Sequence, residues 1–175
     1  MENKGYSIWL MPEDEINEKL SKTISKLCRK YNCPIFNPHV TLIGKIDADE
    51  EEIIKKAKKL AKKIKPFEIK LSHPECLENY FKCLFMKVEE TEEVMSAGKL
   101  ALEHFNLNGI YFPHLSLVYG NFNPSLKKPL MQIGNLLKGL KFKVRYLYIY
   151  QTEKYAENRK IQIQNWEKIA KIPLS

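Results

Sequence analysis

Pro38-His39-Val40-Thr41-Leu42 returns later in the chain as Pro113-His114-Leu115-Ser116-Leu117. Each copy runs proline, histidine, aliphatic, hydroxyl residue, leucine. Two of the four histidines therefore occupy near-identical settings. The apolar residues that follow, Val40, Leu42 and Ile43 in one copy and Leu115, Leu117 and Val118 in the other, predict buried strands. Residues i and i+2 of a strand share a face. His39 and Thr41 thus point one way, as do His114 and Ser116, while the aliphatic residues point the other way. An imidazole and a hydroxyl presented together, twice, can hold a phosphate from two sides.

The spacing outside these copies predicts a repeating frame. Tyr6 to Met11 reads as a strand ended by Pro12. Ile16, Leu20, Ile24, Leu27, Cys28 and Tyr31 mark one face of a helix. The first motif strand runs to about Ile46. Asp47-Ala48-Asp49 offers an N-cap to a second helix, whose buried stripe is Ile53, Ile54, Ala57, Leu60, Ala61 and Ile64. Phe67 to Leu71 and Tyr80 to Val88 read as a strand pair turning between His73-Pro74 and Asn79. Thr91 caps a third helix. The second motif strand spans His114 to Gly120. Leu130, Ile133 and Leu137 suggest a short helix, weakened by Pro129. Alternation from Phe142 to Tyr150 predicts one half-buried strand, and a last strand lies near Trp166 to Ile172. Each half carries one copy of the motif. The pattern predicts an α+β fold of two pseudo-symmetric lobes around a cleft, in one domain spanning residues 1–175.

Composition narrows the functional classes. The chain has 175 residues, 44% of them apolar, which excludes a disordered protein. No apolar run is long enough to span a bilayer, and the start shows no signal-peptide pattern, so a cytoplasmic, monomeric protein without membrane partners is expected. Cys28, Cys33, Cys76 and Cys83 include no close CxxC pair and read as reduced thiols. A net charge of +8 suggests an anionic partner, although most of the lysines read as solvated surface.

Hydrolysis of a strained cyclic phosphodiester needs a proton taken from water and another given to the departing sugar oxygen. Histidine does both near neutrality. Attacking and leaving oxygens lie in line across phosphorus, so His39 and His114 facing each other across the phosphate meet that demand. Thr41 and Ser116 can bond the non-bridging oxygens. No metal or other cofactor is required, and hydroxyl partners without an acidic residue make a poor metal site. A serine-hydrolase reading of Ser116 lacks an orienting group. His73 and His104 have no hydroxyl two residues on and read as structural or surface residues.

With these motifs the chain resembles the two-histidine (2H) phosphoesterases, and within them the plant and yeast cyclic phosphodiesterases of tRNA splicing. The likeness extends through Tyr6-Ser7-Ile8-Trp9-Leu10-Met11-Pro12, Phe36 to Leu42, Phe81-Lys82-Cys83, Glu93 to Gly98, and Pro113 to Tyr119. The resemblance implies a bilobal fold of antiparallel sheet with outer helices. It implies hydrolysis of ADP-ribose 1″,2″-cyclic phosphate to ADP-ribose 1″-phosphate, and of nucleoside 2′,3′-cyclic phosphates to 2′-phosphates. It also makes Trp9 and Tyr119 candidates to flank the substrate and stack on its base, although both read equally as core aromatics. Tyr119 nominally faces away from His114 unless the strand bends. Lys82 can face the phosphate or lie in solvent. The rival readings are an RNA-end enzyme (2′,5′-ligase or exonuclease) and a non-catalytic module that grips nucleotides or RNA ends. Matched acid and base favour catalysis, and the absence of a basic stripe disfavours a long RNA track.

Overall fold

The computed structural model describes residues 4–154 and 163–175. Eight strands form one antiparallel sheet: β1 (Lys4–Leu10), β2 (Val40–Ala48), β3 (Phe67–Glu75), β4 (Leu84–Val88), β5 (His114–Val118), β6 (Lys141–Val144), β7 (Tyr146–Lys154) and β8 (Glu167–Pro173). Their order across the sheet is β6-β3-β4-β5-β2-β1-β7-β8. Helices α1 (Asp14–Tyr31), α2 (Glu50–Ala61), α3 (Glu92–His104) and α4 (Lys127–Asn135) pack on one side. The bilobal α+β expectation holds. Four strands lie to each side of the β5–β2 junction, where the recorded pair is Val40 with Leu115.

The elements follow from local chemistry. In α1, Leu20, Ile24, Leu27 and Cys28 are buried at helical spacing. Each aliphatic side chain contributes about 1.5–3 kcal/mol by leaving water. The helix stops where Asn32 turns left-handed and Cys33 N–H returns to the Cys28 carbonyl. Thr91 caps α3, its hydroxyl accepting from Val94 N–H. Asp49 takes the N-cap position of α2 without a side-chain cap bond, and Glu50, Glu51 and Glu52 supply the negative charge that its first turn favours. Pro129 is tolerated because it falls in the first turn of α4, where an N–H has no intrahelical partner.

Three expectations change. The predicted strand over Phe142 to Tyr150 is two strands, β6 and β7, on opposite lobes. Arg145 alone separates them, so the sheet must curl until its far strands approach. The tyrosines Tyr146, Tyr148 and Tyr150 keep step with Phe142 and Val144, which is why the sequence reads as continuous, but the core side passes to Leu147 and Ile149 after the break. Tyr80–Lys82 is a 3-10 turn rather than strand, because the Asn79 side chain accepts from Phe81 N–H. His73 and Pro74 lie within β3, not in the turn. The β3–β4 register shifts between Leu71 and Pro74, as expected where proline has no N–H to offer.

The two halves exchange strands. β1-α1-β2-α2-β3 is answered by β4-α3-β5-α4 and then β7. β3 crosses to pair with β4, and β7 crosses back to pair with β1. Helix α1 packs on β5, and α3 packs on β2. The side chains of Tyr6, Ile8 and Leu10 enter the core beneath the helices, whereas Trp9 and Met11 join a separate cluster with Tyr148 and Tyr150.

Helix α4 sits against β3 through Gly134. A Cβ there would lie 2.4 Å from the Pro74 ring, which cannot swing aside. Gly134→Ala should cost about 1–3 kcal/mol and lower Tm by roughly 2–10 °C. Calorimetry on the folded variant measures this, and an unchanged Tm would show that α4 has room to lift.

Candidate active site

The pair Val40–Leu115 decides what the motif residues face. Pairing is antiparallel, so one step either side sets Thr41 across from His114 and His39 across from Ser116. All four side chains share the face opposite the core. The junction thus arranges two imidazoles and two hydroxyls as a square related by a local two-fold axis. The sequence foretold two similar faces. Register brings them together.

Both rings are held in the same way. His39 Nδ1 lies 2.7 Å from the Asn37 carbonyl and His114 Nδ1 lies 2.9 Å from the Phe112 carbonyl. A carbonyl only accepts, so Nδ1 carries the proton in each and Nε2 is left free to accept. This explains the proline before each histidine. Pro38 and Pro113 lack an N–H and hold the preceding residue extended, which fixes the carbonyl two positions back. Spacing alone gives no sign of that anchor.

The surroundings differ between the halves. His39 is 5% exposed, and its ring stacks on Trp9 at 3.7 Å and 12°. Trp9 stacks in turn on Tyr150 at 3.9 Å. The Asn37 amide donates to the Tyr150 hydroxyl, closing a circuit around His39. His114 is half-buried, edge-on to Phe85 at 5.3 Å and tilted against Phe112. Phe85 pairs with Ser116 as Trp9 pairs with Thr41, so they are local two-fold mates. Burial pushes the His39 imidazole down to about 4, opposed by the Asn37 bond and reinforced by the His114 charge. Burial also lowers His114, opposed by the Phe112 bond and reinforced by the Lys82 charge.

The Ser116 hydroxyl donates to the Phe81 carbonyl at 3.1 Å, while among the described residues the Thr41 hydroxyl has no hydrogen-bond partner. The register of β5 against β4 shifts between Ser116 and Val118, and Tyr119 beyond it lies edge-on to Trp166 at 6.1 Å. The Tyr119 ring stacks on Phe36 at 4.0 Å and its hydroxyl reaches Ser116. Trp9, at 2% exposure, has both ring faces covered, and Tyr119, at 4%, is buried too. Neither offers an open face to a base in this arrangement. Trp166 stands edge-on to His39 at 6.0 Å and to Trp9 at 5.3 Å. Sequence reasoning took it only as the start of a strand, and nothing in its spacing signals more. His73 bonds Glu75, and His104 Nε2 meets the Lys56 carbonyl, both apart from the square. Among the described residues no group of three or more His, Cys, Asp or Glu could hold a metal.

A two-fold pair of histidine-hydroxyl motifs at the centre of a curled antiparallel sheet defines a 2H phosphoesterase. Within that class the chain belongs to the cyclic phosphodiesterase-like protein family, which it matches over residues 4–173. It is 28% identical to a cyclic phosphodiesterase of Arabidopsis thaliana over 171 residues, 94% of this chain and 92% of the relative. A 2′,3′-cyclic-nucleotide 3′-phosphodiesterase of Yarrowia lipolytica is 29% identical over 117 residues, which span 62% of this chain and 52% of that one. Among solved structures, the fold is similar to TT0787 of Thermus thermophilus, with a TM-score of 0.64 at 17% identity, covering 97% of each chain. Escherichia coli LigT, solved with phosphate, also gives 0.64 at 12% identity, covering 100% of this chain and 99% of that one. The protein is a phosphodiesterase of the hydrolase class.

With both histidines lowered, the kcat/KM profile of the free enzyme should lie acid of the usual histidine value near 6.5. The kcat profile should stand at higher pH, because a bound anion favours imidazolium. Trp9→Ala admits water to His39 and should move its limb of the kcat/KM profile upward. Profiles of wild type and variant on one cyclic nucleotide check this. A wild-type kcat/KM optimum above pH 7, or an unmoved limb, would contradict the burial argument.

Proposed function

We propose that this enzyme hydrolyses the cyclic phosphate of a small nucleotide, with His39 and His114 as paired general acid and base and no metal. The observation that carries the reading is the pairing register. It places two Nδ1-anchored imidazoles and two hydroxyls on one face across a local two-fold axis. One neutral Nε2 takes a proton from water as its oxygen attacks phosphorus. The other imidazole, protonated, gives its proton to the ribose oxygen leaving on the far side. One P–O bond forms, one breaks, and a phosphomonoester with a free hydroxyl remains.

Thr41 and Ser116 bond the non-bridging oxygens as charge grows. Thr41 is unencumbered; Ser116 turns from the Phe81 carbonyl to do so, with the Tyr119 hydroxyl beside it. Trp9 and Tyr119 serve as supports for His39 and Ser116 rather than as base platforms. The substrates in this reading are ADP-ribose 1″,2″-cyclic phosphate, opened to the 1″-phosphate, and nucleoside 2′,3′-cyclic phosphates, opened to 2′-phosphates. The name of the Yarrowia relative supports the second class, and that of the Arabidopsis relative a cyclic phosphodiesterase in general. A monomer in the cytoplasm is the setting that fits. The four free thiols suit a reducing compartment, and among the described residues no helix is long and apolar enough to cross a membrane.

The decisive assay is hydrolysis of both substrates with the products identified. His39→Ala and His114→Ala should each lose at least about a hundredfold in turnover while remaining folded. Thr41→Ala and Ser116→Ala should lose a comparable or smaller factor. Near-normal turnover in either folded histidine variant rejects the mechanism, and activity lost to a chelator and restored by zinc or manganese rejects its metal independence.

A cyclic mononucleotide should also be favoured over an oligonucleotide ending in the same cyclic phosphate, with only a shallow salt dependence. A strong preference for the oligonucleotide that collapses as salt rises would mark an RNA-end enzyme instead.

A further inference from the structure

The cleft has unlike walls. Around His39 the wall is aromatic: Trp9, Tyr150 and Trp166. Beside His114 it is cationic. Lys87 pairs directly with His114 across β4 and β5 and so shares its face. Lys82, in the 3-10 turn before β4, lies close enough for its charge to be felt at His114. The two ammonium groups converge on one ring, Lys82 Nζ at 4.7 Å and Lys87 Nζ at 5.6 Å from the centre of Phe112. That ring is 5.3 Å from the His114 ring.

Neither lysine is neutralised. Among the described residues no carboxylate lies within ion-pair distance of Lys82 or Lys87. Both are half-buried, unlike the exposed Lys55, Lys58 and Lys59 of α2. A π face attracts a cation without cancelling its charge, and two ammonium groups sharing one ring repel each other. Further out, Lys70 is tied to Glu89 at 2.6 Å and Lys141 to Glu68 at 2.9 Å. Lys82 and Lys87 thus bring two unneutralised charges to the His114 side of the site. Two such charges can hold one more anionic group.

We propose that Lys82 and Lys87, gathered on Phe112, form a second anion subsite, and that the preferred substrates are cyclic phosphates bearing one further phosphate or diphosphate. The proposal rests on the cyclic phosphodiesterase reading above. Thr41 and Ser116 hold the phosphate that reacts; the lysine pair holds the one that does not, and so selects among substrates sharing the same cyclic end. Remote binding of this kind also orients the reacting phosphate between the histidines.

The test compares kcat/KM for adenosine 2′,3′-cyclic phosphate with that for the same compound carrying a 5′-phosphate. Wild type should favour the 5′-phosphorylated compound by about tenfold at low salt, and the ratio should shrink as salt screens the lysines. Lys82→Met and Lys87→Met keep the aliphatic packing on Phe112. Each should cut the ratio severalfold, and the double variant should bring it close to one. Lys82→Arg and Lys87→Arg, which keep the charge, should retain it. A wild-type ratio near one overturns the proposal. So do methionine variants that slow both compounds by the same factor, since the lysines would then act on the reacting phosphate. If wild type hydrolyses neither compound, the cyclic phosphodiesterase reading itself has failed.

Discussion

The site depends on one backbone pairing, Val40 with Leu115. Each motif strand can present its own imidazole and hydroxyl unaided. Only the antiparallel match at this point turns two such faces toward one space. A slip of one residue would send every side chain of a strand to the other face and put the histidines in the core. The aliphatic residue inside each motif guards against that. Val40, Leu42, Leu115 and Leu117 are all at most 2% exposed beneath the helices, so their burial enforces the register that sets the two histidine-hydroxyl faces together. The strands flanking this pair shift register at Tyr6/Ile8, Ile8/Trp9 and Leu84/Phe85. Curvature is absorbed there, beside the centre and not in it.

Around that symmetric centre the environment is asymmetric. His39 rests against a column of rings and is largely sealed from water; His114 stands nearer the opening among lysines. Identical anchoring of Nδ1 gives both imidazoles the same tautomer. Their different depth gives them different proton affinities. The acid–base mechanism proposed for the pair gains from that difference, because in-line displacement asks opposite things of its two sides.

Much of this was legible in the residues. The repeated motif announced the paired faces and the two-lobed α+β fold, because strand period and proline placement are local properties. The helices followed from the spacing of Leu20, Ile24 and Leu27 and from Thr91. What local pattern could not carry was partnership. The run of Phe142, Val144, Tyr146, Tyr148 and Tyr150 continues through Arg145 in the sequence, yet the core side changes there, from Phe142 and Val144 in β6 to Leu147 and Ile149 in β7, and the two strands belong to different lobes. Tyr80–Lys82 has strand-like composition, and one side chain, Asn79, folds it into a turn. Trp9 was visible as an aromatic beside the site, but that its two faces are covered by His39 and Tyr150 depends on strands far apart in sequence. Lys87 carried no signal until register set it opposite His114.

The exchange of β3 and β7 between halves bears on how such a chain reaches its native state. The first half ends with one strand, β3, and the second with two, β7 and β8, that have no place in their own lobe and complete the other's sheet. Their hydrophobic faces are therefore covered only when the partner half is present, and the contacts that do so span long stretches of chain, a topology that folds slowly and as a unit. The repeat visible in the sequence is not a repeat of folding units. Neither histidine motif can be built into a stable scaffold ahead of its counterpart, so the chain either displays both halves of its chemistry or displays none.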